Sequence, residues 1–185
     1  MTAVVDAPRK VSVAWRERTV EMEYAWIAPE RKAAPLVVFL HEGLGSVAMW
    51  KDFPQRLCET GGFRGLVFSR PAYGRSTPRA PDEAWGADFM HQQAHEVLPA
   101  LLAALGIHDV PWLFGHSDGA SIALLHAAKF PQRVRGLVAQ GAIVRVCGSR
   151  AMAQGVAETL DTVLAPLQLS VSTLKARERY AEDVF

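Results

Sequence analysis

At 185 residues, half of them apolar and with a formal net charge of +1, the chain is long enough for one domain with a sizeable core. Lys and Arg are scattered without a basic tract, which excludes the electrostatic footprint of a nucleic-acid or anionic-membrane partner. No run of about 18 apolar residues offers a membrane span. Cys58 and Cys147 make no disulfide framework and MTAVVDAPRK lacks the apolar core of a secretory signal, so a reduced, cytoplasmic setting is expected. Nothing beside Cys147 would lower its pKa, and an idle thiol is the expectation there.

In chain order, VSVAWRERTVEMEYAWI (11–27) alternates with period two around RER, the pattern of a β-hairpin. PLVVFLH (35–41) is a continuous apolar run, as expected of a strand buried on both faces of a parallel sheet. A helix is predicted over 47–60 from the spacing of Met49, Phe53 and Leu57, with Trp50 beside them. GLVFSRP (65–71) reads as the next buried strand. A helix over 87–105 follows through Phe89, Val97, Leu101, Leu102 and Leu105, closed by Gly106 as its C-cap. VPWLFG (110–115) and VRGLVAQG (134–141) are two more strands, flanking a helix over 118–129 that sets Ala120, Ala123, Leu124 and Ala127 on one face. The alternation defines an α/β class with a mostly parallel sheet of about six strands, the hairpin included. After Gly141 an amphipathic helix covers 150–165 through Met152, Val156, Leu160, Val163 and Leu164, Pro166 ends it, and a weaker helix runs from Ser172 to the terminus, with no further buried strand. Residues 1–141 thus form the core, and 142–185 a helical segment of the same single domain.

Gly115-His116-Ser117-Asp118-Gly119 is a G-x-S-x-G pentapeptide that follows a buried strand and opens a small-residue helix, the context of a nucleophile elbow. So sharp a turn leaves no room for bulk two residues before or after the serine. It sets the hydroxyl over a helix N-terminus, where developing negative charge is favoured. The stretch GIHDVPWLFGHSDGASIALLHAAKFPQRVRGLV (106–138) closely resembles the strand–elbow–helix–strand core of the α/β-hydrolase fold. VVFLHEGLGS (37–46) is similar to that family's oxyanion loop after the third strand, and SRPAYGRS (69–76) to its turn after the fourth. The resemblance spans roughly residues 11 to 141, and it implies that the helical segment 142–185 is lid-like, standing in the position of a lid or cap.

Nucleophilic attack by Ser117 on a carbonyl needs a base for its proton and preorganised donors for the oxyanion. The resemblance implies the backbone N–H of Asp118 as one donor and that of Gly43 as the other. Gly115, His116 and Gly119 support the elbow, and His41 and Glu42 open the oxyanion loop. His41 is expected to orient that loop rather than to transfer protons. The family usually has glycine where Glu42 stands, which leaves the second donor uncertain by one residue. A serine at the elbow sets the chain apart from family branches that open epoxides or displace halides with an aspartate there. Ester, thioester, amide and carbon–carbon bond hydrolysis of a small-molecule acyl substrate stay open. Trp50, Phe53 and Trp85 fit an apolar pocket and core packing equally well.

The family order is serine, acid, histidine, and here the pattern departs. His126, in the elbow helix, lies roughly 13 Å along the axis from Ser117 and is expected to be a flanking surface residue. His91 and His95 are four apart on a helix, but no third metal ligand is evident, and with Gln92 and Gln93 beside them a solvated pair is expected. Asp118 is expected to orient away from Ser117, while Glu158 and Asp161 fit the solvated face of their helix. No metal or cofactor is implied. The expectation is a serine hydrolase by family whose acid and base are missing from these residues: a fragment, a truncated gene product or a divergent copy. The alternatives are a ligand-binding pseudoenzyme and a protomer completed by its partner. Strand 134–141 would then be an open apolar edge, prone to self-association.

Overall fold

The computed structural model describes residues 5–141, 144–148, 150–165, 170–177 and 180–184. Two compact units divide at Gln140. In the first, β1 (Arg9–Trp15) and β2 (Arg18–Ile27) form the antiparallel hairpin, turning through Arg16 at φ +57°. β3 (Leu36–Leu40), β4 (Arg64–Phe68), β5 (Trp112–His116) and β6 (Gly136–Gln140) run parallel, and β2 joins them antiparallel to β4. The order is β1-β2-β4-β3-β5-β6. The class is therefore α/β, a mostly parallel six-stranded sheet with an N-terminal hairpin.

β3 sits centrally, buried at all five positions, because Leu36, Val37, Val38, Phe39 and Leu40 face packed layers on both sides. From β3 the chain steps first to β4 on one side and later to β5 on the other. The carboxyl ends of β3 and β5 therefore flank a topological switch point, where such sheets place their sites. Leu40 pairs with Gly115 in register, so the loop after β3 emerges beside the turn after β5.

The helices refine the periodicity reading. Residues 47–60 are not one helix: a 3-10 turn (Ala48–Trp50) is followed by α1 (Phe53–Gly61). Lys51 at φ +52° breaks the run, Pro54 starts the new helix, and Met49 is exposed instead of sharing the apolar face. The segment expected over 87–105 comprises α2 (Phe89–Gln92), a π turn (Gln93–Val97) and α3 (Leu98–Ala104). Pro99 explains the π turn: it lacks the N–H for the His95 carbonyl and its ring would collide with that carbonyl in a regular helix. Gly106, at φ +63°, closes α3 with Ile107 N–H bonded to the Leu102 carbonyl at 2.9 Å. α4 (Asp118–Lys129) buries Ala120, Ala123, Leu124 and Ala127, and Gly119, Ile122 and His126 besides.

The second unit contains α5 (Arg150–Leu164) and α6 (Val171–Ala176), where Val156, Ala157, Leu160 and Leu174 pack against buried Val171. Asp161 accepts from Val171 N–H at 2.6 Å and thereby ties α5 to the start of α6. The helix expected to the terminus stops at Ala176, and β7 (Val144–Gly148) pairs in parallel with β8 (Tyr180–Val184). The backbone of YAEDV pairs across a ladder rather than within a helix, so the helix expected to run to the terminus is replaced there by a strand. The side chains of Met152, Val163, Leu164 and Cys147, and all of Pro166, lie outside the described residues.

Candidate active site

Ser117 occupies φ +52°, ψ −114°, a backbone conformation that costs a non-glycine residue of order 1–3 kcal/mol. Its surroundings hold it there: Ser117 N–H donates to the Gln140 carbonyl at 2.8 Å, while its own carbonyl accepts from Ala120 and Ser121 of the first helical turn. Both flanking glycines are sterically required. A Cβ on Gly115 would overlap the Gly119 carbonyl oxygen, and one on Gly119 would overlap that of Leu40. Bringing α4 this close to β3 and β5 is what makes the turn sharp. Asp118 opens α4, so its N–H belongs to the turn that has no intrahelical acceptor.

Opposite the elbow runs the loop after β3. A Cβ on Gly43 would lie 3.0 Å from Asp118 Oδ2, so the loop packs directly against the residue that follows Ser117. His41 is buried with both ring nitrogens engaged: Nδ1 donates to the Glu42 carbonyl at 2.7 Å and Nε2 accepts from Arg70 N–H at 3.0 Å. Burial foremost, and then the Arg70 charge, hold its pKa down at about 3, so the ring is neutral.

Arg70, which immediately follows β4 and Ser69, was missed as a site residue. It is only 1% exposed. Its Nη2 donates to the Glu42 carbonyl at 2.8 Å and lies 3.6 Å from Asp118 Oδ2, Nε lies 3.4 Å from His41 Nε2, and the guanidinium stacks 4.5 Å from the Tyr73 ring centre. Nη1 has no hydrogen-bond partner among the described residues. Burial lowers its pKa, while Tyr73, Asp118 and Glu42 act the other way. No sequence rule marks an arginine in a turn as buried; only the run SRPAYGRS pointed to this loop. Glu23 of β2 was missed as well. Its carboxylate accepts from Ser69 Oγ at 2.7 Å and Arg75 N–H at 2.9 Å, while Ser69 Oγ accepts from Val47 N–H at 2.9 Å. The turn after β4 is thereby tied both to β2 and to the segment after β3.

The other histidines are engaged elsewhere. His126 is not a surface residue: it is 1% exposed with Nδ1 2.7 Å from the Ala94 carbonyl, because α4 packs on the π turn. His95 Nε2 lies 3.3 Å from the Leu125 carbonyl, and His91 is exposed beside it with ring centres 5.6 Å apart. Gln93, expected on a polar face, is 2% exposed, since the π turn rotates it inward. His116 is half-buried and His108 exposed. Among the described residues no three His, Cys, Asp or Glu side chains converge as metal ligands. Glu158 is exposed and accepts from Gln154 at 2.9 Å. Trp50 and Phe53 pack with Phe39 and Phe114 under the loop after β3, whereas Trp85 stacks on Phe89 at 4.1 Å. Cys58 is buried, and burial pushes its thiol up to about 11.

An elbow serine at a switch point, faced by a histidine-led loop, defines a class, and the class is matched: a model of the alpha/beta hydrolase fold covers residues 35–185. The chain belongs to the α/β-hydrolase fold family. Among curated proteins it is similar to a zearalenone hydrolase of Cladophialophora bantiana, 32% identical over 110 residues, which is 60% of this chain and 40% of that protein. Among solved structures it is similar to a haloalkane dehalogenase loop variant from Bradyrhizobium elkanii. There the TM-score is 0.61 and the identity 26%, over 77% of this chain and 42% of the other. Potato epoxide hydrolase I follows the same fold with TM-score 0.58 and 20% identity, over 72% and 39% of the two chains. The chain spans about two fifths of the length of these proteins. No helix among the described residues is long and apolar enough to cross a membrane.

Proposed function

We propose that these residues form the nucleophile-bearing part of a serine hydrolase acting on the carbonyl of a small-molecule acyl substrate. The strained Ser117 backbone, held between two glycines that admit no Cβ, carries the reading, because such strain persists where a side chain must be presented. Ser117 Oγ attacks the carbonyl carbon and its proton passes to a base. The oxyanion is held by the N–H groups of Asp118 and Gly43, and collapse expels the leaving group to give an acyl-serine that water hydrolyses. Gly115, His116 and Gly119 form the elbow, and His41 and Glu42 lead the oxyanion loop. Its proposed base and acid partner are residues other than His41, His95 and His126, which are each committed to other partners.

The likeness to zearalenone hydrolase supports hydrolysis as the reaction class. The elbow serine argues against the halide displacement and epoxide opening named for the structural neighbours, which the family resemblance assigns to an elbow aspartate. No cofactor enters this chemistry. A cytoplasmic setting agrees with the buried, unpaired Cys58.

A fluorophosphonate probe tests the reading on the chain and on the full-length gene product. Labelling that disappears in Ser117→Ala is expected in the full-length product. If neither form labels, the elbow is architecture only and the protein a non-catalytic, ligand-binding member of the family.

A further inference from the structure

The Glu42 carbonyl is gripped by three donors: His41 Nδ1–H at 2.7 Å, Arg70 Nη2–H at 2.8 Å and Gly45 N–H at 3.1 Å. Two of the three belong to buried side chains, and Arg70 also fixes the other of these, His41, by donating its own backbone N–H to His41 Nε2 at 3.0 Å. No peptide bond among the described residues is cis. In a trans peptide the C=O and the following N–H point in opposite directions within one plane. Fixing the Glu42 carbonyl toward Arg70 therefore fixes the Gly43 N–H away from it. The same guanidinium faces Asp118 Oδ2 at 3.6 Å, so one buried cation touches both the loop and the first residue of the elbow helix.

We infer that Arg70 is the positioning residue of the oxyanion hole: it sets the Glu42–Gly43 peptide so that the Gly43 N–H is aimed for the reaction, and it clamps that loop to Asp118. This rests on the serine-hydrolase reading for its catalytic consequence, though not for its structural one. Sequence position alone conceals the role, because Arg70 lies far along the chain from Gly43 and reaches it only through the β3–β4 pairing. The departure at Glu42, where the family usually has glycine, fits the same geometry, since it is the backbone of that residue that is held.

The test uses the full-length gene product and the variants Arg70→Met and Arg70→Lys. Arg70→Met is expected to slow fluorophosphonate labelling of Ser117, and to lower kcat on a neutral nitrophenyl ester, by about 100-fold with KM little changed, the size of losing one oxyanion donor. Arg70→Lys, which keeps a cation and a donor, is expected to recover part of the loss. A rise in KM at constant kcat, or unchanged rates in both variants, would overturn the inference. Should Arg70→Met fail to fold, Arg70→Lys is read alone, and equality with wild type is the overturning result. The amide NMR signal of Gly43 gives a readout independent of chemistry. Exchange broadening at Gly43 in Arg70→Lys, with the Ala120 amide unmoved, is expected, and an unmoved Gly43 overturns the inference. If the wild type never labels, the proposed function fails while this amide measurement still decides the role of Arg70.

Discussion

Gly119 and Gly115 carry a requirement that one methyl group at a time can test. A Cβ at Gly119 meets the Leu40 carbonyl oxygen and one at Gly115 meets that of Gly119, both rigid backbone atoms. Relief requires α4 to lift off β3 and β5. Gly119→Ala is expected to cost about 3 kcal/mol by chemical denaturation, the upper range for forcing atoms into a filled site. A loss under about 1 kcal/mol would show that the helix moves cheaply. Ser117 presents the opposite case: its backbone is strained and its side chain is free of structural duty. Ser117→Gly is expected to stabilise the fold, because glycine adopts φ +52° at little cost, while abolishing labelling. A stability gain coupled to loss of reactivity is the signature of strain kept for presentation.

Among the elements, the turn after β4 has the densest polar attachment. Glu23 takes hydrogen bonds from Ser69 Oγ and Arg75 N–H, Ser76 Oγ accepts from Glu23 N–H at 2.9 Å and donates to the Ser69 carbonyl at 2.7 Å. The edge hairpin therefore holds a loop that reaches the site. Glu23→Ala leaves two donors without their acceptor and is expected to cost about 2–3 kcal/mol in denaturation midpoint experiments, with Glu23→Gln costing less because one acceptor oxygen survives. Equal stability of all three proteins would mean that water replaces the carboxylate. The π turn is a second element-level device. Pro99 forces it, and it turns Gln93 into the interior while its Ala94 carbonyl meets His126 of the neighbouring helix α4 at 2.7 Å.

At the scale of the molecule, two consequences follow from burial. His41 ionises near 6.5 when unfolded and near 3 when folded, so between these values the unfolded state binds the extra proton. Stability is therefore full above pH 6.5 and falls as the pH drops toward 3, with a slope of up to about 1.4 kcal/mol per pH unit. His126, also lowered chiefly by burial, acts in the same direction. Denaturation midpoints measured from pH 7 to pH 4 check the slope, and an NMR titration placing His41 near 6.5 would refute its cause. The second consequence concerns β6, which pairs with β5 on one side and, among the described residues, with no strand on the other. Val138 is 50% exposed there. The isolated 185-residue chain is expected to self-associate through this edge in light scattering, and Val138→Lys to shift it toward monomer. Identical masses for both would remove the edge as the cause.

The succession of buried runs and small-residue helices determined the α/β class, the hairpin and the central strands, because apolar periodicity is a local property of the chain. The elbow at Ser117 was legible for the same reason: its glycines, strand and helix are contiguous. Element interruptions were less so, since Lys51 and Pro99 act through backbone geometry that periodicity does not register. Arg70, Glu23 and His126 were illegible, because each is a polar residue whose burial is decided by partners distant in sequence. Charge alone marks such residues as exposed; only tertiary packing supplies the carbonyls, hydroxyls and carboxylates that make burying them tolerable. The sequence by itself thus determined where the elbow serine sits, and the tertiary structure decided what holds the loop facing it.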